Sequence, residues 1–416
     1  MEKIKINSDR IWIRINEMGT YGADVGRGVS RFAWEKPYKM GILKLVSWAE
    51  EAGLQTRMDS VGNVFIRLPG EEANEPAVLS GSHFDTVPHG GYFDGMAGVM
   101  GTFEAILSIK ASGKKHKKPI ELVAFINEEA SQFLGGTFGS KAICGMLPKD
   151  YAMTLKNREK NQTLAKAMIE YDMGLRPDKI EASIIQPENY CAFIEMHIEQ
   201  GRYLLDRNLP MAIVSDIAGI KQFYITIHGV AAHAGGMSME DRHDAVAAAA
   251  MIISEVENLA KKETGTRGTV GFIQAHPGEH NIIADQCMIS VDFREADDKK
   301  WEKLYSDLIV VIKRECKKRG LTYDIKTTCN NAPAHCSQDF IQLMIESLEM
   351  RKIPYCQMVS FPAHDAMNMS RILPMGMIFL RSGNGGVSHC PEEYTTKEDL
   401  TKGTEVLADV LYELAK

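Results

Sequence analysis

The sequence has no closely spaced cysteine pair and no long apolar segment. Its eight cysteines occur singly, without a CxxC spacing, which argues against both a zinc ribbon and a disulfide framework. We expect all eight to be reduced and non-catalytic, with one alternative, a free thiol near an active site at Cys390 beside His389. No stretch of about 18 apolar residues occurs, so a membrane-spanning helix is not predicted.

A long run of like charges is also missing. Lysine and arginine total 48 against 55 aspartates and glutamates, for a net charge of −7. Without a basic stripe no nucleic-acid partner is expected, and a small-molecule substrate fits better. The charged N-terminus MEKIKINSDRIWIRINEMG lacks the apolar segment of a signal peptide. We therefore predict a cytoplasmic protein without a membrane partner.

Apolar strand-like runs alternate with helical ones along much of the chain. Residues 77–82 (AVLSGS) and 120–126 (IELVAFI) are predicted as buried strands, and residues 95–110 as a helix after a glycine-rich turn. This alternation predicts an α/β fold with a parallel sheet, in which functional sites form at the carboxyl ends of the strands.

The pattern changes over residues 212–330. It becomes strand (KQFYITIHG), helix (DAVAAAAMIISEVENLA), two strands (TVGFIQA and QCMISVDFR), helix and strand (TYDIKTT), a βαββαβ unit of the ferredoxin-like kind. Residues 375–380 (MGMIFL) again resemble a buried strand, and the chain from Lys397 is helical. We therefore predict an insertion at 212–330 in a discontinuous domain formed by residues 1–211 and 331–416.

Chemically suggestive residues follow the first predicted strand. In SGSHFDT, His83 and Asp85 lie two residues apart and thus on one face. A carboxylate that holds one ring nitrogen prepares an imidazole for metal binding, which is the role we predict for Asp85. A His–Asp pair that stabilises a turn remains the alternative. Asp94 lies among four glycines in GGYFDGMAG, which permit unusual backbone angles and would let its carboxylate enter a crowded site. The alternative is an ordinary Asp-Gly turn.

Two adjacent glutamates, Glu128 and Glu129 in FINEEAS, follow the second predicted strand. Their charges would repel unless a cation lay beside them, and a metal pair is the simplest such cation. A solvated surface pair is the alternative. His197 in EMHIEQG and His389 in GVSHCPEEY each suit a core histidine when taken singly. Taken together, these residues supply histidine and carboxylate ligands for two ions, with Asp94 bridging them.

Seven motifs occur in an order that resembles one protein family. They are SGSHFDTVPHGGYFDGMAGVMGTFEA, FINEEAS, MHIEQG, HGVAAHAG, DRHDA, AHDAMNM and GVSHCPEEY, which together span roughly residues 80 to 395. This series resembles the metal-dependent amidase branch of the M20 (aminoacylase/carboxypeptidase-like) superfamily. The branch contains N-carbamoyl-L-amino acid hydrolases, β-ureidopropionases and allantoate amidohydrolases, and HIEQG is typical of it rather than of the peptidases.

The resemblance implies a zinc-exopeptidase-like catalytic domain with a mixed, mainly parallel sheet, and an inserted α+β lid and dimerisation domain. It implies two divalent ions per subunit, of Mn²⁺, Zn²⁺, Co²⁺ or Ni²⁺, with Glu128 as general base and Asp85 supporting His83. The implied metal ligands are His83, Asp94, Glu129, His197 and His389.

The implied reaction is hydrolysis of the carbamoyl or ureido C–N bond of an N-carbamoyl amino acid or an allantoate-like molecule. His233 in AAHAG is expected to stabilise the oxyanion from the partner subunit of a homodimer. Asn281 and Arg294 are expected to hold the substrate carboxylate, with Gln200 completing the pocket. Without the resemblance, we would predict Arg294 to be an exposed arginine at the end of a strand.

Several departures from the family pattern concern the substrate pocket, and no role is predicted for residues 148–190. Two other functions stay open: an aminoacylase or dipeptidase with the same metals, and a non-catalytic binding protein on this fold. A non-catalytic protein would be expected to lack a metal ligand or the general base, and none of these residues is missing here. The departures are Gln132, Gly235–Met239, Ala284 and Phe361–Ala363.

Overall fold

A computed structural model describes residues 1–416, and the chain separates into two compact units. The first comprises Met1–Ser215, His335–Met358 and His364–Lys416, and the second comprises Asp216–Ala334 and Val359–Ala363. The short segment Val359–Ala363 was not assigned to the insertion from the sequence pattern. No helix has the length and apolar character needed to cross a membrane.

The chain forms eighteen strands and twelve α-helices. The strands are β1 (Ala23–Asp24), β2 (Gly28–Val29), β3 (Gln55–Met58), β4 (Val64–Leu68), β5 (Ala77–His83), β6 (Ile120–Phe125), β7 (Tyr190–Ile198), β8 (Met211–Ile217), β9 (Gly219–His228), β10 (Ala232–His233), β11 (Arg267–Thr269), β12 (Ile273–His276), β13 (Ile282–Ile283), β14 (Gln286–Glu295), β15 (Thr322–Asn331), β16 (Ala334–His335), β17 (Tyr355–Ser360) and β18 (Met375–Leu380). The helices are α1 (Ser8–Thr20), α2 (Lys36–Glu51), α3 (Met96–Ser112), α4 (Phe138–Ile143), α5 (Tyr151–Thr154), α6 (Leu164–Glu170), α7 (Tyr203–Asp206), α8 (Ala245–Lys262), α9 (Asp298–Arg319), α10 (Gln338–Arg351), α11 (Asp365–Met369) and α12 (Lys397–Ala415). Three short 3₁₀ helices cover Ile180–Ser183, Pro187–Asn189 and Asn384–Gly386.

The first unit is built on a mixed sheet in the order β16-β8-β18-β7-β5-β6-β4-β3, with β17 paired to β8. The strands β18, β7, β5 and β6 are parallel to one another. The neighbouring pairs β18–β8, β6–β4 and β4–β3 are antiparallel, so the predicted parallel character is limited to the centre of the sheet. Every residue of β5 and β6 is buried, as expected for strands covered on both faces.

The helix α3 begins directly after the glycine-rich turn that follows β5. Gly95 precedes it with φ +64°, and a Cβ atom there would lie 2.5 Å from the ring and the carbonyl oxygen of His83. Only glycine permits both this conformation and this close approach. The turn therefore brings Asp94 against the end of β5, which the glycine pattern had suggested.

The main elements of the second unit, β9-α8-β11-β12-β14-α9-β15, follow the order predicted from the sequence, and the two-residue strands β10 and β13 form an additional antiparallel pair. Its antiparallel sheet runs β11-β14-β9-β15, with β12 also paired to β14. The predicted strand TVGFIQA is divided, because one extra residue between Thr269 and Ile273 interrupts the pairing with β14. One face of the sheet packs on α8 and α9 through an apolar core that includes Phe223, Ile252 and Leu308.

Candidate metal centre

Histidines and carboxylates from three central strands and two loops meet at one place in the first unit. His83 is the last residue of β5, His197 is in β7, and Glu128 and Glu129 follow β6. Three sets of these residues have potential ligand atoms within 4.8 Å of one another. The sets are His83, Asp94 and His197; His83, Glu128 and Glu129; and Asp94, Glu129 and His389.

Asp94 lies at the centre of the cluster and belongs to two of these sets. Its Oδ1 is 3.3 Å from Nε2 of His83 and 3.1 Å from Nε2 of His197. Its Oδ2 is 3.1 Å from Nε2 of His389, which in turn is 3.3 Å from Oε1 of Glu129. The two carboxylate oxygens of Asp94 therefore face different groups of ligands.

The hydrogen bonds of Nδ1 in the two buried histidines indicate the tautomer of each ring. Nδ1 of His197 lies 2.9 Å from the carbonyl oxygen of Ile198, and Nδ1 of His83 lies 3.1 Å from that of Asp85. A carbonyl oxygen only accepts, so each Nδ1 carries a proton. In a neutral imidazole each Nε2 then presents a lone pair. The two Nε2 atoms are 3.4 Å apart and face Asp94 Oδ1, a buried oxygen that receives no hydrogen bond.

Lone pairs on nitrogen and oxygen atoms repel one another at these distances. They can lie so close together only if a cation lies between them or if some of the atoms are protonated. In the protein alone, burial acts to lower the pKa of His83, but Asp94, Glu128 and Glu129 together raise it well above its usual range. Hydrogen bonds to Asp94 and Glu129 raise the pKa of His389 to about 11. A negative potential of this strength also attracts a divalent ion, and the nitrogen and oxygen donors suit one.

The carboxylate of Asp85 lies near His83, but its hydrogen bonds go to other groups. Its carboxylate Oδ1 is 4.0 Å from Nδ1 of His83, which instead contacts the backbone carbonyl of Asp85. The carboxylate oxygens accept hydrogen bonds from the amides of Glu128 and Glu129, at 3.0 and 3.1 Å. The prediction used the i, i+2 spacing, which does not distinguish a side-chain contact from a backbone contact. Asp85 holds the loop that carries both glutamates.

Glu128 and Glu129 occupy different positions although they are adjacent in sequence. Glu129 is grouped with Asp94 and His389, whereas Glu128 is grouped with His83 and Glu129. Burial raises the pKa of Glu128 well above its usual range and also raises that of Glu129. A carboxylate whose pKa is raised above its usual range is a stronger base than an ordinary carboxylate and is therefore better suited to accept a proton.

Gln200 lies against Asp94, beside the candidate metal ligands. Its Nε2 donates to Oδ2 of Asp94 at 2.9 Å and is 3.3 Å from the hydroxyl of Ser388. Gln200 has φ +56°, which turns the chain after β7 toward Asp94. The structure thus gives this side chain a contact with Asp94 that the sequence did not indicate.

Glu393 is a buried residue to which the sequence analysis gave no role, although it belongs to the motif GVSHCPEEY. Its Oε1 accepts hydrogen bonds from the amides of Phe93 and Asp94 at 3.0 and 2.9 Å, and its Oε2 accepts one from Ser388 at 2.7 Å. It therefore ties the Asp94 turn to the loop that carries His389. The only signal in the sequence was its position four residues after a histidine.

The motif AHDAMNM also contributes buried residues beside the cluster. The ring of His364 is 4.6 Å from that of His197, and burial lowers its pKa well below the usual range. Burial and the nearby charge of Glu195 raise the pKa of Asp365 to about 8, and the hydroxyl of Ser140 donates to its carboxyl. The motif contributes to the family resemblance, but no separate role was predicted for His364 or Asp365.

The remaining predicted residues all belong to the second unit. Nδ1 of His233 accepts hydrogen bonds from the amides of Gly235 and Gly236, both at 3.1 Å, so in the neutral ring Nε2 carries the proton and is a donor. Asn281 is exposed, and its backbone carbonyl oxygen accepts a hydrogen bond from the amide of Ala234. The guanidinium of Arg294 is half-buried and contacts Asp292 and the carbonyl oxygen of Phe361.

We expect Glu393→Gln to weaken metal binding while leaving the fold intact. The amide keeps one oxygen that can accept from the backbone of the Asp94 turn, but it loses the charge. Its NH₂ group cannot accept the hydrogen bond that the Ser388 hydroxyl donates to Oε2. Residues that orient a metal ligand typically change metal affinity by about 10- to 100-fold. A competitive metal titration measures the change, and the exposed neighbour Glu392→Gln is the matched control. Equal metal affinities for the two variants would contradict this role.

The clustered histidines and carboxylates form a candidate metal centre, and comparisons with known proteins show the family of this chain. Residues 79–413 match Peptidase family M20/M25/M40. The chain is 36% identical to an N-carbamoyl-L-amino-acid amidohydrolase of Pseudomonas sp. (strain NS671), over 98% of each chain. It is 32% identical to the allantoate amidohydrolase of Bacillus subtilis (strain 168), over 100% of each chain. A crystal structure of a hydantoinase/carbamoylase family amidase from Burkholderia multivorans superposes with a TM-score of 0.88, at 30% identity, covering 99% of this chain and 98% of that one.

The chain therefore belongs to Peptidase family M20/M25/M40, and within it to the amidase branch that the motifs indicated. It is an enzyme of the class that hydrolyses carbon–nitrogen bonds other than peptide bonds. The predicted mixed α/β fold is confirmed.

Proposed function

We propose that this enzyme removes the carbamoyl or ureido group from a small substrate that carries a carboxylate, with two divalent ions in the first unit. The observation that carries the proposal is the position of Asp94 between two sets of ligands. His83 and His197 complete the set at Oδ1, and Glu129 and His389 complete the set at Oδ2. Zn²⁺, Mn²⁺, Co²⁺ and Ni²⁺ all accept such ligands.

Glu128 acts as the general base in this proposal. When bound, the ions lower the pKa of the attacking water and polarise the scissile carbonyl. The Glu128 carboxylate accepts a proton from that water and then delivers it to the leaving nitrogen. Glu128 suits this role because it belongs to neither of the two sets that contain Asp94. Hydrolysis of a carbamoyl group then yields an amine, carbon dioxide and ammonia.

The residues of the second unit bind the substrate in this proposal. The Nε2–H of His233 donates to the oxyanion, a role for which its tautomer is fixed by the two glycine amides at Nδ1. Arg294 and Asn281 hold the carboxylate, since the planar guanidinium matches a carboxylate in two hydrogen bonds. Following the family pattern, His233 acts in the partner subunit of a homodimer.

A substrate panel tests the proposed function. We expect ammonia release from N-carbamoyl-L-amino acids or allantoate. For N-acetyl amino acids and dipeptides we expect kcat/KM to be lower by about 10- to 100-fold. Dialysis against a chelator should abolish the activity, and added Mn²⁺, Zn²⁺, Co²⁺ or Ni²⁺ should restore it. Faster hydrolysis of dipeptides or N-acetyl amino acids would favour the exopeptidase or aminoacylase function instead. Full activity after verified metal removal would contradict the two-ion mechanism.

A further inference from the structure

The sheet of the second unit carries a cleft on the face opposite to its helices. The cleft has a volume of about 640 Å³, within the usual range for small-molecule sites of about 300–1,000 Å³. It contains the side chains of two arginines, Arg267 and Arg294, together with Asp292. Part of its wall is Phe361, a position at which this chain departs from the family pattern.

The strand β11 is held so that Arg267 points to the same face as Arg294. Gly268 lies so close to α8 that an added Cβ would be 2.8 Å from Cβ of Ala260 and 3.0 Å from the carbonyl oxygen of Val256. Because side chains alternate along a strand, the neighbours of Gly268 face away from the helix. Arg267 pairs directly with Arg294 in the antiparallel register, so the two side chains lie side by side.

The two guanidinium groups differ in their partners. Arg294 donates to both carboxylate oxygens of Asp292, at 3.1 and 3.2 Å, and Gln222 also donates to Asp292 at 2.7 Å. Arg267 has no carboxylate partner. Its guanidinium lies over the ring of Phe361, 4.2 Å from the centroid, and has only long contacts of 3.5 and 3.4 Å with the carbonyls of Gly265 and Thr266.

The exposed guanidinium of Arg267 therefore has no carboxylate partner in the protein, although it lies opposite a second arginine, Arg294. Like charges directly opposite each other on neighbouring strands are destabilising, and a single aspartate balances only one of the two arginines. The contact with the Phe361 ring restricts the Arg267 guanidinium, which reduces the entropy lost when an anion binds. An anionic ligand would relieve the repulsion and use the fixed geometry.

We propose that the cleft binds a small dianion and that Arg267 recognises its second carboxylate. Because Arg294 is the proposed ligand of the substrate α-carboxylate, this inference rests on the proposed function and specifies the substrate class. The preferred substrates are N-carbamoyl amino acids with acidic side chains, as opposed to aliphatic ones. Arg267 is then a specificity residue that acts on binding and takes no part in the bond cleavage.

Substitution of Arg267 tests the discrimination. In Arg267→Met the stem and its contact with Phe361 are kept while the charge is removed. We expect kcat/KM for N-carbamoyl-aspartate or N-carbamoyl-glutamate to fall by about 10- to 100-fold, the usual size of a lost charged hydrogen bond, mainly through KM. For N-carbamoyl-leucine the change should stay within about 3-fold. Arg294→Met should impair all of these substrates, and the exposed Lys303→Met is the surface control.

Binding measurements separate this inference from the proposed function. Calorimetry with glutarate, butyrate and inorganic phosphate, on the full-length metal-loaded protein, needs no turnover. We expect glutarate to bind more tightly than butyrate in the wild type, and this preference to disappear in Arg267→Met, while thermal melting confirms that the variant is folded.

Hydrolysis of carbamoyl substrates without a preference for acidic side chains would overturn the inference and leave the proposed function standing. A glutarate preference that requires Arg267, in a protein that hydrolyses no carbamoyl substrate, would support the dianion site and overturn the proposed function. Equal binding of glutarate and butyrate, or tighter binding of phosphate than of glutarate, would overturn the dianion site.

Discussion

Glu128→Gln should lose almost all turnover while keeping its full metal content. The substitution removes the group that accepts the proton of the attacking water, and positioned bases typically contribute about 10²- to 10⁴-fold to a rate. The metal content should not change, because the ligand sets around Asp94 do not include Glu128. The measurements are kcat at saturating substrate and metal analysis of the purified protein.

Glu129→Gln is the matched control, since it is the same substitution one residue away. Oε1 of Glu129 is 3.3 Å from His389, in the set that also contains Asp94, so this variant should lose one ion as well as activity. The amides of both residues bond to Asp85, and neither substitution changes the backbone. If Glu128→Gln came out metal-depleted while Glu129→Gln kept both ions, the roles of the two glutamates would be reversed.

The strands and the identity of the clustered residues could be predicted because both depend on local pattern. Continuous apolar runs identified β5, β6 and β18, and polar residues directly after such runs are expected at the carboxyl ends of strands. His83, Glu128 and Glu129 were found in this way. The glycines around Asp94 marked a tight turn, and Gly95 does have a positive φ.

The hydrogen bonds that support the cluster could not be predicted because they join distant parts of the chain. Glu393 bonds to the amide of Asp94 across 299 residues, and Gln200 bonds to the carboxylate of Asp94 across 106 residues. No local periodicity encodes such contacts. The pairing of Asp85 with the amides of Glu128 and Glu129 likewise depends on β5 and β6 being neighbours in the sheet. Sequence pattern thus identified candidate ligands better than the groups that orient them.

Mixing two inactive variants, Glu128→Gln and His233→Ala, should restore activity if the active site is shared between subunits. Loss of an oxyanion donor such as His233 typically costs about 10²- to 10³-fold in kcat. His233 is exposed on its own chain, and its Nε2–H is available to an acceptor outside the loop. In a mixed dimer one site has both defects and the other has neither. Random exchange makes about half of the dimers mixed, so recovery should approach about a quarter of the wild-type activity.

Two further measurements make this test decisive. Dimers purified with a different tag on each variant should recover about half of the wild-type activity, because one of their two sites is intact. The control mixes Glu128→Gln with His83→Ala, two defects in the same unit of the chain, and should recover nothing, since every site then contains one of them. Subunit exchange is followed independently by the tags. A monomer in solution, or proven exchange without recovery, would mean that His233 acts within its own chain or has no catalytic role.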